Sequence, residues 1–536
     1  MEQHTKSPTG TVTARDLRTV LADGAEIALL DVREAGQFGE SHLLFAVPLP
    51  YSRLELDVTT LVPRRSTRIV LCDDRGSDAA ELAARRLTAL GYTNLCILEG
   101  GVAGWTAAGY RLYKGVNVPS KLFGELIEHA YHTPRVTAQE LVRMKEAGEN
   151  FAIVDGRPLS EYRKMTIPGS TCCPNAELPY RIPTMVRDPR TKIIVNCAGR
   201  TRSIIGAQTL INFGIPNPVY ALENGTQGWY LSDLQLERGS DRKYPDHVDT
   251  ALLPAQQAAA RKLMERFGVR HVSAQEVNAW LNDATRTTYL CDVRSPEEFR
   301  NGSLPGAVHA PGGQLVQATD QWIGVRHARI VVIDDEGVRA PVVASWLKQL
   351  GCDAYVLEGG IRAPLKASAP ARPALPALET ISPSALKRAS AAGQYTVLEL
   401  RPSMDFRKSH VPGSRWSIRP RLVAAAKGAA GTIVLVADEP DIARLGAIDL
   451  LEAGFSDLKR LEGGISAWTQ AGQATDKSPT IPPDAECTDY LFFVHDRHAG
   501  SREAMKQYLA WETGLIAQLD EQERAAFRIG PVMTDG

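Results

Sequence analysis

The residues best suited to chemistry lie in one short segment, Cys197-Ala198-Gly199-Arg200-Thr201-Arg202-Ser203. An apolar run typical of a strand precedes it, and residues 203–213 have the apolar spacing of a helix. Backbone N–H groups between a strand and a helix N-terminus form a cradle that suits an anion. The helix dipole and the two arginines should favour the thiolate form of Cys197. The segment therefore predicts a sulfur nucleophile, whose persulfide the same N–H groups would hold.

Cys197 belongs to a unit that the chain repeats four times. The tetrapeptide Leu-Glu-Gly-Gly, or Leu-Glu-Asn-Gly in the second copy, stands at 98–101, 222–225, 357–360 and 461–464. An acidic-x-Arg sequence precedes each copy, at 31–33, 155–157, 292–294 and 399–401. Successive acidic positions are 124, 137 and 107 residues apart, so the repeat is a whole domain.

Each repeat alternates short β-branched or Leu-rich runs with helical stretches, which predicts an α/β fold with a mostly parallel sheet flanked by helices. In the second repeat we expect strands at 151–154, 193–195 and 219–222 and a helix at 203–213. Gly214 would cap this helix. Equivalent glycines end the matching helices of the other repeats, namely Gly91, Gly351 and Gly454.

We place four tandem domains at 10–113, 130–240, 268–364 and 377–475, followed by a C-terminal helical extension at 484–536. Residues 241–267 could form a connecting helix, and the Pro- and Ala-rich stretch 363–378 reads as a stiff linker. Within the extension, residues 491–494 favour a strand and residues 501–527 a helix.

The composition is that of an ordinary globular protein. The 536 residues carry a formal net charge of −1, which gives no basic excess for nucleic acid. Residues 1–10 lack an apolar targeting region and no long apolar run follows, so we expect a soluble, cytoplasmic protein without a membrane partner.

The cysteines and histidines suggest neither a disulfide framework nor a metal site. Eight cysteines in a chain of this length show no zinc-type CxxC pairs, and free thiols are expected. His495 and His498 are spaced three apart, but no third ligand is evident. We therefore expect no metal and no cofactor.

Taken together, the four units resemble rhodanese domains. The acidic-x-Arg strand end, a Pro-Gly turn, the Cys-led loop and the Leu-Glu-Gly-Gly turn follow one another in that family's order, over roughly 400 residues. The Pro-Gly turns are at 167–170, 304–307 and 411–414.

The resemblance implies a sulfurtransferase in which Cys197 carries sulfane sulfur as a persulfide. Thiosulfate, or else 3-mercaptopyruvate, would load the thiol, and a thiol, cyanide or a sulfur-carrier protein would unload it. Arg202 would close the loop, Arg200 would bind substrate, and the N–H groups from Ala198 to Ser203 would stabilise the anion. In the family, a glycine frequently stands three residues after the cysteine, whereas here Arg200 has that place.

Two alternative functions follow from the same resemblance. The six-residue loop from Cys197 to Arg202 is similar to that of the sulfurtransferases, whereas related phosphatases and arsenate reductases use seven residues. A non-enzymatic scaffold is the other alternative, because three of the four repeats have no cysteine at the position that corresponds to Cys197. Cys172 and Cys173 follow a Pro-Gly turn, so either a resolving thiol or ordinary packing is expected there.

The loops of the other repeats differ at the position of Cys197. The third repeat places Asp334 there and the fourth places Ala437. In the first repeat, alignment from the strand selects Asp73, whereas counting back from Gly91 selects Asp74. Cys72 is read as a core residue at the strand end. An aspartate at this position could accept the helix N–H groups itself, so we expect only the second domain to be catalytic.

Overall fold

The computed structural model describes residues 9–74, 77–370, 372–391, 394–495 and 500–530 and contains four five-stranded sheets. In each sheet the strand that is first in sequence pairs with the fifth, followed by the fourth, second and third, and every one of these pairings is parallel. Helices connect the strands. The predicted α/β fold of four parallel-sheet domains is confirmed.

The chain folds into two compact units, each of which combines two of the sheets. Of the described residues, those within 1–19, 28–116 and 371–492 form one unit, and those within 20–27, 117–370 and 493–536 form the other.

The first unit contains the first and fourth sheets. The elements of the first domain are β1 Gly10–Val12, α1 Ala14–Val20, β2 Ala28–Asp31, α2 Ala35–Glu40, β3 Val47–Pro48, α3 Leu54–Leu61, β4 Ile69–Cys72, α4 Ala79–Ala89, β5 Leu95–Leu98 and α5 Gly101–Ala107. Those of the fourth domain are β16 Glu379–Ile381, α17 Pro383–Ala391, β17 Tyr395–Glu399, α18 Ser403–Lys408, β18 Arg415–Trp416, α19 Arg419–Ala426, β19 Thr432–Val436, α20 Pro440–Glu452, β20 Leu458–Leu461 and α21 Gly464–Gln470.

The second unit contains the second and third sheets. The second domain follows α6 Val118–Tyr131 and consists of β6 Arg135–Val136, α7 Ala138–Glu146, β7 Phe151–Asp155, α8 Leu159–Lys164, β8 Thr171–Cys172, α9 Leu178–Met185, β9 Lys192–Asn196, α10 Thr201–Phe213, β10 Val219–Leu222 and α11 Gly225–Leu231. After α12 Leu253–Phe267, the third domain has β11 His271–Val272, α13 Ala274–Leu281, β12 Thr288–Asp292, α14 Pro296–Arg300, β13 Val308–His309, α15 Gly312–Gln317, β14 Arg329–Ile333, α16 Arg339–Gln349 and β15 Asp353–Leu357.

The C-terminal extension is helical, with α22 Phe492–His495, α23 Arg502–Thr513 and α24 Glu521–Arg524. The strand expected at 491–494 is therefore wrong. Four apolar residues have the same composition in a strand and in a helix, so periodicity could not separate the two. The single helix expected at 501–527 is divided, since Gly514 ends α23 and Asp520 caps α24 with its side chain.

The second domain shows why these segments form these elements. The predicted strands at 151–154 and 193–195 each extend by one or two residues, and 219–222 is a strand as expected. β9 is central in its sheet and buried over its last four residues, which explains its apolar run. Helix α10 begins at Thr201, two residues earlier than expected, and ends at Gly214, whose φ of 79° is the left-handed cap conformation.

The acidic-x-Arg sequence closes the end of the second strand in all four domains. In the second domain, Arg157 donates through Nε to Asp155 Oδ1 at 2.9 Å and through Nη2 to Asp155 Oδ2 at 2.7 Å, with both side chains buried. The same ion pair joins Arg33 to Asp31, Arg294 to Asp292, and Arg401 to Glu399. Because it occurs in every domain whatever the loop residue, it maintains the fold.

None of the helices in the described part of the chain is both long enough and apolar enough to cross a membrane.

Candidate functional site

Cys197 lies directly after β9, at the carboxyl end of the parallel sheet, and α10 begins four residues later. This is the edge at which parallel α/β sheets bind ligands. The side chain is only 2% exposed. The thiol therefore lies where the sequence places it, within a closed loop.

Three carbonyl groups of the loop accept hydrogen bonds from α10 and α11. Cys197 O accepts a hydrogen bond from Thr226 N at 2.8 Å, and Ala198 O accepts one from Gln227 Nε2 at 3.0 Å. Arg200 O accepts from Ser203 Oγ at 2.8 Å. These bonds hold the backbone of the loop against the two helices.

The backbone N–H groups of the loop are the donors that the predicted cradle would use. Among the described residues, we find no hydrogen-bond acceptor for the backbone N–H groups of residues 198–203. Donors at a helix N-terminus attract negative charge, and a persulfide or a bound anion would satisfy them. The residues Ala198, Gly199, Thr201 and Ser203 belong to this set of free backbone donors, and their role in binding an anion stays a prediction.

Gly225, the last residue of the Leu-Glu-Asn-Gly turn, packs against the loop. Its φ is +51°, and a methyl group on its Cα would lie 2.2 Å from the carbonyl oxygen of Cys197. Only glycine fits this conformation and this approach. The repeated turn thus fixes the position of the first residue of the loop.

Arg200 is held by acidic residues of α6 and does not point free into the cradle. Its Nε donates to Glu125 Oε1 at 2.7 Å and its Nη2 to Glu125 Oε2 at 2.9 Å, and Nη2 also contacts Glu128. Burial raises the pKa of Glu125, although the bonds from Arg200 oppose this effect. The segment that supplies both carboxylates lies outside the four predicted domains.

Arg202 makes a bidentate ion pair with Glu161 of α8. Nη1 and Nη2 lie 2.7 and 2.8 Å from Oε1 and Oε2 of Glu161. Burial alone would lower the pKa of Arg202, but Glu161 and Cys197 outweigh it and the pKa is raised. Arg202 thus stays cationic and is electrostatically coupled to the thiol. Its backbone oxygen accepts a hydrogen bond from Asn175 Nδ2 at 2.9 Å.

The C-terminal helix α23 also reaches the loop. Thr201 Oγ1 donates to Glu512 Oε1 at 2.7 Å, and Glu512 is 2% exposed. On the same helix, Tyr508 contacts Lys121 of α6 through its hydroxyl group. Nothing in the local sequence marks Glu512 as a site residue.

Glu161 could have been found from the repeat. Glu161 and Glu298 each stand six residues after the acidic residue that ends the second strand of their domain. Arg202 and Arg339 each stand five residues after the position of Cys197 in their domain. In the third domain, Arg339 makes the same bidentate pair with Glu298, at 2.7 and 2.9 Å.

The cradle of the third domain is filled by its own carboxylate. Asp334 takes the position of Cys197 and accepts hydrogen bonds from the N–H groups of Gly337, Val338 and Ala340 at 3.1, 3.0 and 2.9 Å. Burial, together with the nearby Glu336, raises the pKa of Asp334 above its ordinary value. The expectation that an aspartate would cap this helix is confirmed.

In the first domain, the close approach of a glycine identifies the residue that corresponds to Cys197. A methyl group on Gly101 would lie 2.1 Å from Asp73 O, just as one on Gly225 would approach Cys197 O. Asp73, not Asp74, is therefore the counterpart of Cys197, and it accepts a hydrogen bond from Ala80 N at 3.0 Å. Residues 75 and 76 of this loop lie outside the described residues. In the fourth domain, Gly464 approaches Ala437 O in the same manner.

The other cysteines named by the sequence are packed in the domains. Cys72 ends β4 and is fully buried, which raises the pKa of its thiol well above the ordinary value. Burial also raises the pKa of Cys172 to about 12 and that of Cys173 well above its usual range. Both thiols of the Cys172-Cys173 pair thus strongly favour the protonated form, as in ordinary packing.

No group of three or more His, Cys, Asp or Glu residues in the described ranges could hold a metal ion. Of the two histidines singled out in the tail, His498 lies outside the described residues.

The sheets, the strand-end ion pairs and the loop cradles together define the family. The model of the rhodanese-like domain matches this chain four times, at residues 13–108, 137–232, 273–366 and 382–471. The chain therefore belongs to the rhodanese family, with four rhodanese-like domains in tandem.

Among individual proteins, the chain is similar to a thiosulfate sulfurtransferase from Pseudomonas aeruginosa of known crystal structure. The two are 41% identical, the match covers 97% of this chain and 100% of the other, and the TM-score is 0.90. A helix-turn-helix-type transcriptional regulator of Mycobacterium tuberculosis is 32% identical over 105 residues, which is 20% of this chain. The chain spans 45% of the length of that regulator.

Proposed function

We propose that this protein is a sulfurtransferase that carries sulfane sulfur as a persulfide on Cys197, and that only its second domain is catalytic. The observation that carries the proposal is the cradle of residues 198–203, whose N–H groups have no acceptor in the described chain. In the third domain the corresponding cradle is filled by Asp334. The similarity to the thiosulfate sulfurtransferase of P. aeruginosa supports the same activity.

In the first half-reaction the Cys197 thiolate attacks the outer sulfur of thiosulfate. A bond forms between Sγ and that sulfur, the S–S bond of thiosulfate breaks, and sulfite leaves with the electron pair. The cradle N–H groups stabilise the negative charge of the persulfide. In the second half-reaction a thiol, cyanide or a carrier protein attacks the outer sulfur, and the electron pair of the broken S–S bond returns to Cys197.

The substitution Cys197→Ser tests this proposal. The hydroxyl group is nearly isosteric but cannot form a stable persulfide, so we expect sulfur transfer to be lost while the fold is retained. Intact mass after incubation with thiosulfate should show one added sulfur atom in the native protein and none in the variant, and thiocyanate production should fall to background.

Cys96→Ser is the matched control, because Cys96 is a half-buried thiol of β5 far in sequence from the loop. It should keep both the mass shift and the activity. Undiminished thiocyanate production by Cys197→Ser would refute the assignment.

A further inference from the structure

Glu512 brings a carboxylate from the C-terminal extension against the Cys197 loop. Its Oε1 accepts the hydrogen bond from Thr201 Oγ1 at 2.7 Å. A methyl group on Gly199 would lie 3.2 Å from Glu512 Oε2 and 3.3 Å from Gln227 Nε2. The second carboxylate oxygen therefore lies beside the backbone of the loop, two residues from the nucleophile.

This second oxygen is buried and has no hydrogen-bond donor among the described residues. The side-chain oxygen of Gln227 is also buried without a donor among the described residues, and Gln227 is 5% exposed. A buried acceptor without a donor costs about 1–3 kcal/mol, so a bound molecule that supplies the donor is favoured there. Two such acceptors at one loop indicate a ligand that offers hydrogen-bond donors.

The charges around the loop point the same way. Arg200 is paired with Glu125 and Glu128, and Arg202 is paired with Glu161. Glu512 adds a further carboxylate for which the described residues provide no salt bridge. Arg135 also binds Glu128, and Lys121 of α6 lies over the ring of Tyr508, so positive and negative side chains near the loop are about equal in number. The carboxylate of Glu512 is the local charge that opposes a small anion beside it.

The residue that follows the last glycine of the turn is polar in the second domain and apolar in the other three. The two residues after Gly225 are Thr226 and Gln227, and both are buried. The other domains have an apolar residue at the position of Thr226, namely Val102, Ile361 and Ile465. Position 226 thus has a hydrogen-bonding side chain only in the domain with the cysteine, whereas the counterparts of Gln227 are Ala103, Arg362 and Ser466.

We propose that Glu512 selects the ligand of the Cys197 site by charge, favouring a neutral molecule with a hydrogen-bond donor, such as a protonated thiol, over a small anion. The identification of that ligand as the sulfur acceptor rests on the proposed function. Thiosulfate is an anion, so the same carboxylate repels it and weakens its binding.

Alkylation of Cys197 by iodoacetamide and by iodoacetate tests the inference without any sulfur transfer, because the two reagents have similar size and differ in charge. The rate at Cys197 is followed by peptide mapping. We expect Glu512→Gln, which keeps an oxygen acceptor for Thr201, to lower the ratio of the iodoacetamide rate to the iodoacetate rate about tenfold. Glu512→Asp, which keeps the charge, should retain most of the native ratio.

Glu503→Gln is the matched control, since it removes one charge from the exposed side of the same helix. It should leave the ratio unchanged. An unchanged ratio in a folded Glu512→Gln variant, or an equal change in Glu503→Gln, would overturn the proposal. If neither reagent alkylates Cys197 in any variant, the proposal is also overturned, because the loop then admits no small ligand.

A sulfur-transfer assay separates this inference from the proposed function. If the protein transfers sulfur, Glu512→Gln should lower the KM for thiosulfate and raise the KM for a thiol acceptor. A protein that shows the alkylation change but no sulfur transfer would refute the proposed function and leave the charge selection standing.

Discussion

At the scale of single residues, the two loop arginines have different partners and should have different roles. Arg200 is bound by two carboxylates of α6, which anchors the loop to that helix. Arg202 has one carboxylate partner, Glu161, and is electrostatically coupled to Cys197. We therefore propose that Arg202 is the cation that acts on the sulfur.

We predict that Arg202→Ala lowers kcat/KM for thiosulfate, because it removes a cation beside the cradle and leaves Glu161 unpaired there. The expected loss is about 1–3 kcal/mol, the scale of a charge-assisted hydrogen bond. Steady-state kinetics of thiocyanate formation measure it.

Glu161→Gln is the complementary variant, because it removes the carboxylate charge that neutralises the guanidinium group of Arg202. If Arg202 acts on the anion, this variant should keep or lower the KM for thiosulfate. If both variants lose activity and stability equally, the pair serves only the fold.

At the scale of elements, the loop takes its shape from three neighbours: the turn before α11, helix α6 and helix α23. The turn supports the loop through the close approach of Gly225 to Cys197 O. The two helices supply Glu125 and Glu512. Each neighbour acts on a different loop residue, so the cradle should fail locally when one of them is changed.

We predict that Gly225→Ala abolishes sulfur transfer, because its methyl group would displace the carbonyl of Cys197 and with it the cradle. Gly239→Ala is the matched control, for Gly239 also has a positive φ, of +70°, but no atom within 4 Å of the added methyl. Backbone strain should cost both variants about 1–2 kcal/mol of stability. Thermal unfolding and activity assays should show a further loss of stability, and loss of activity, only in Gly225→Ala; equal behaviour of the two would contradict this account.

At the scale of the whole molecule, the four domains keep one framework while their loops differ. Asp334 and Arg339 in the third domain match Cys197 and Arg202, and Glu298 matches Glu161. In the first domain, Asp78 takes the place of Arg202, and Gln37 takes the place of Glu161 and donates to Asp74. The third cradle thus keeps its arginine, although Glu177, Asp335 and Glu336 also bind it, whereas the first has lost its cation.

We predict that Asp334→Cys, in a Cys197→Ser background, takes up sulfur detectably, because the substitution frees three N–H groups beside an arginine. Asp73→Cys in the same background should not, since its loop presents Asp78 instead of an arginine. Persulfide labelling with peptide mapping is the measurement. Equal labelling of both cysteines would show that the local charge is unimportant, and labelling of neither would show that these domains have diverged beyond their nucleophile.

The repeat made most of the fold predictable from the sequence. Four copies of an acidic-x-Arg sequence and of a glycine turn, joined by apolar runs, determined four parallel α/β domains and placed Cys197 between a strand and a helix. These features are local, and each was supported by its counterparts in the other copies. Where the chain does not repeat, at residues 491–494, the prediction failed.

Only the tertiary structure decided what surrounds the nucleophile. Glu125 lies 75 residues before Arg200, and Glu512 lies 311 residues after Thr201. Neither segment belongs to a repeat, so no internal comparison could pair these side chains. The choice of Asp73 over Asp74 likewise needed the approach of Gly101 to a carbonyl oxygen. Contacts between distant segments depend on how helices pack against the sheets, and that packing leaves no periodic trace in the chain.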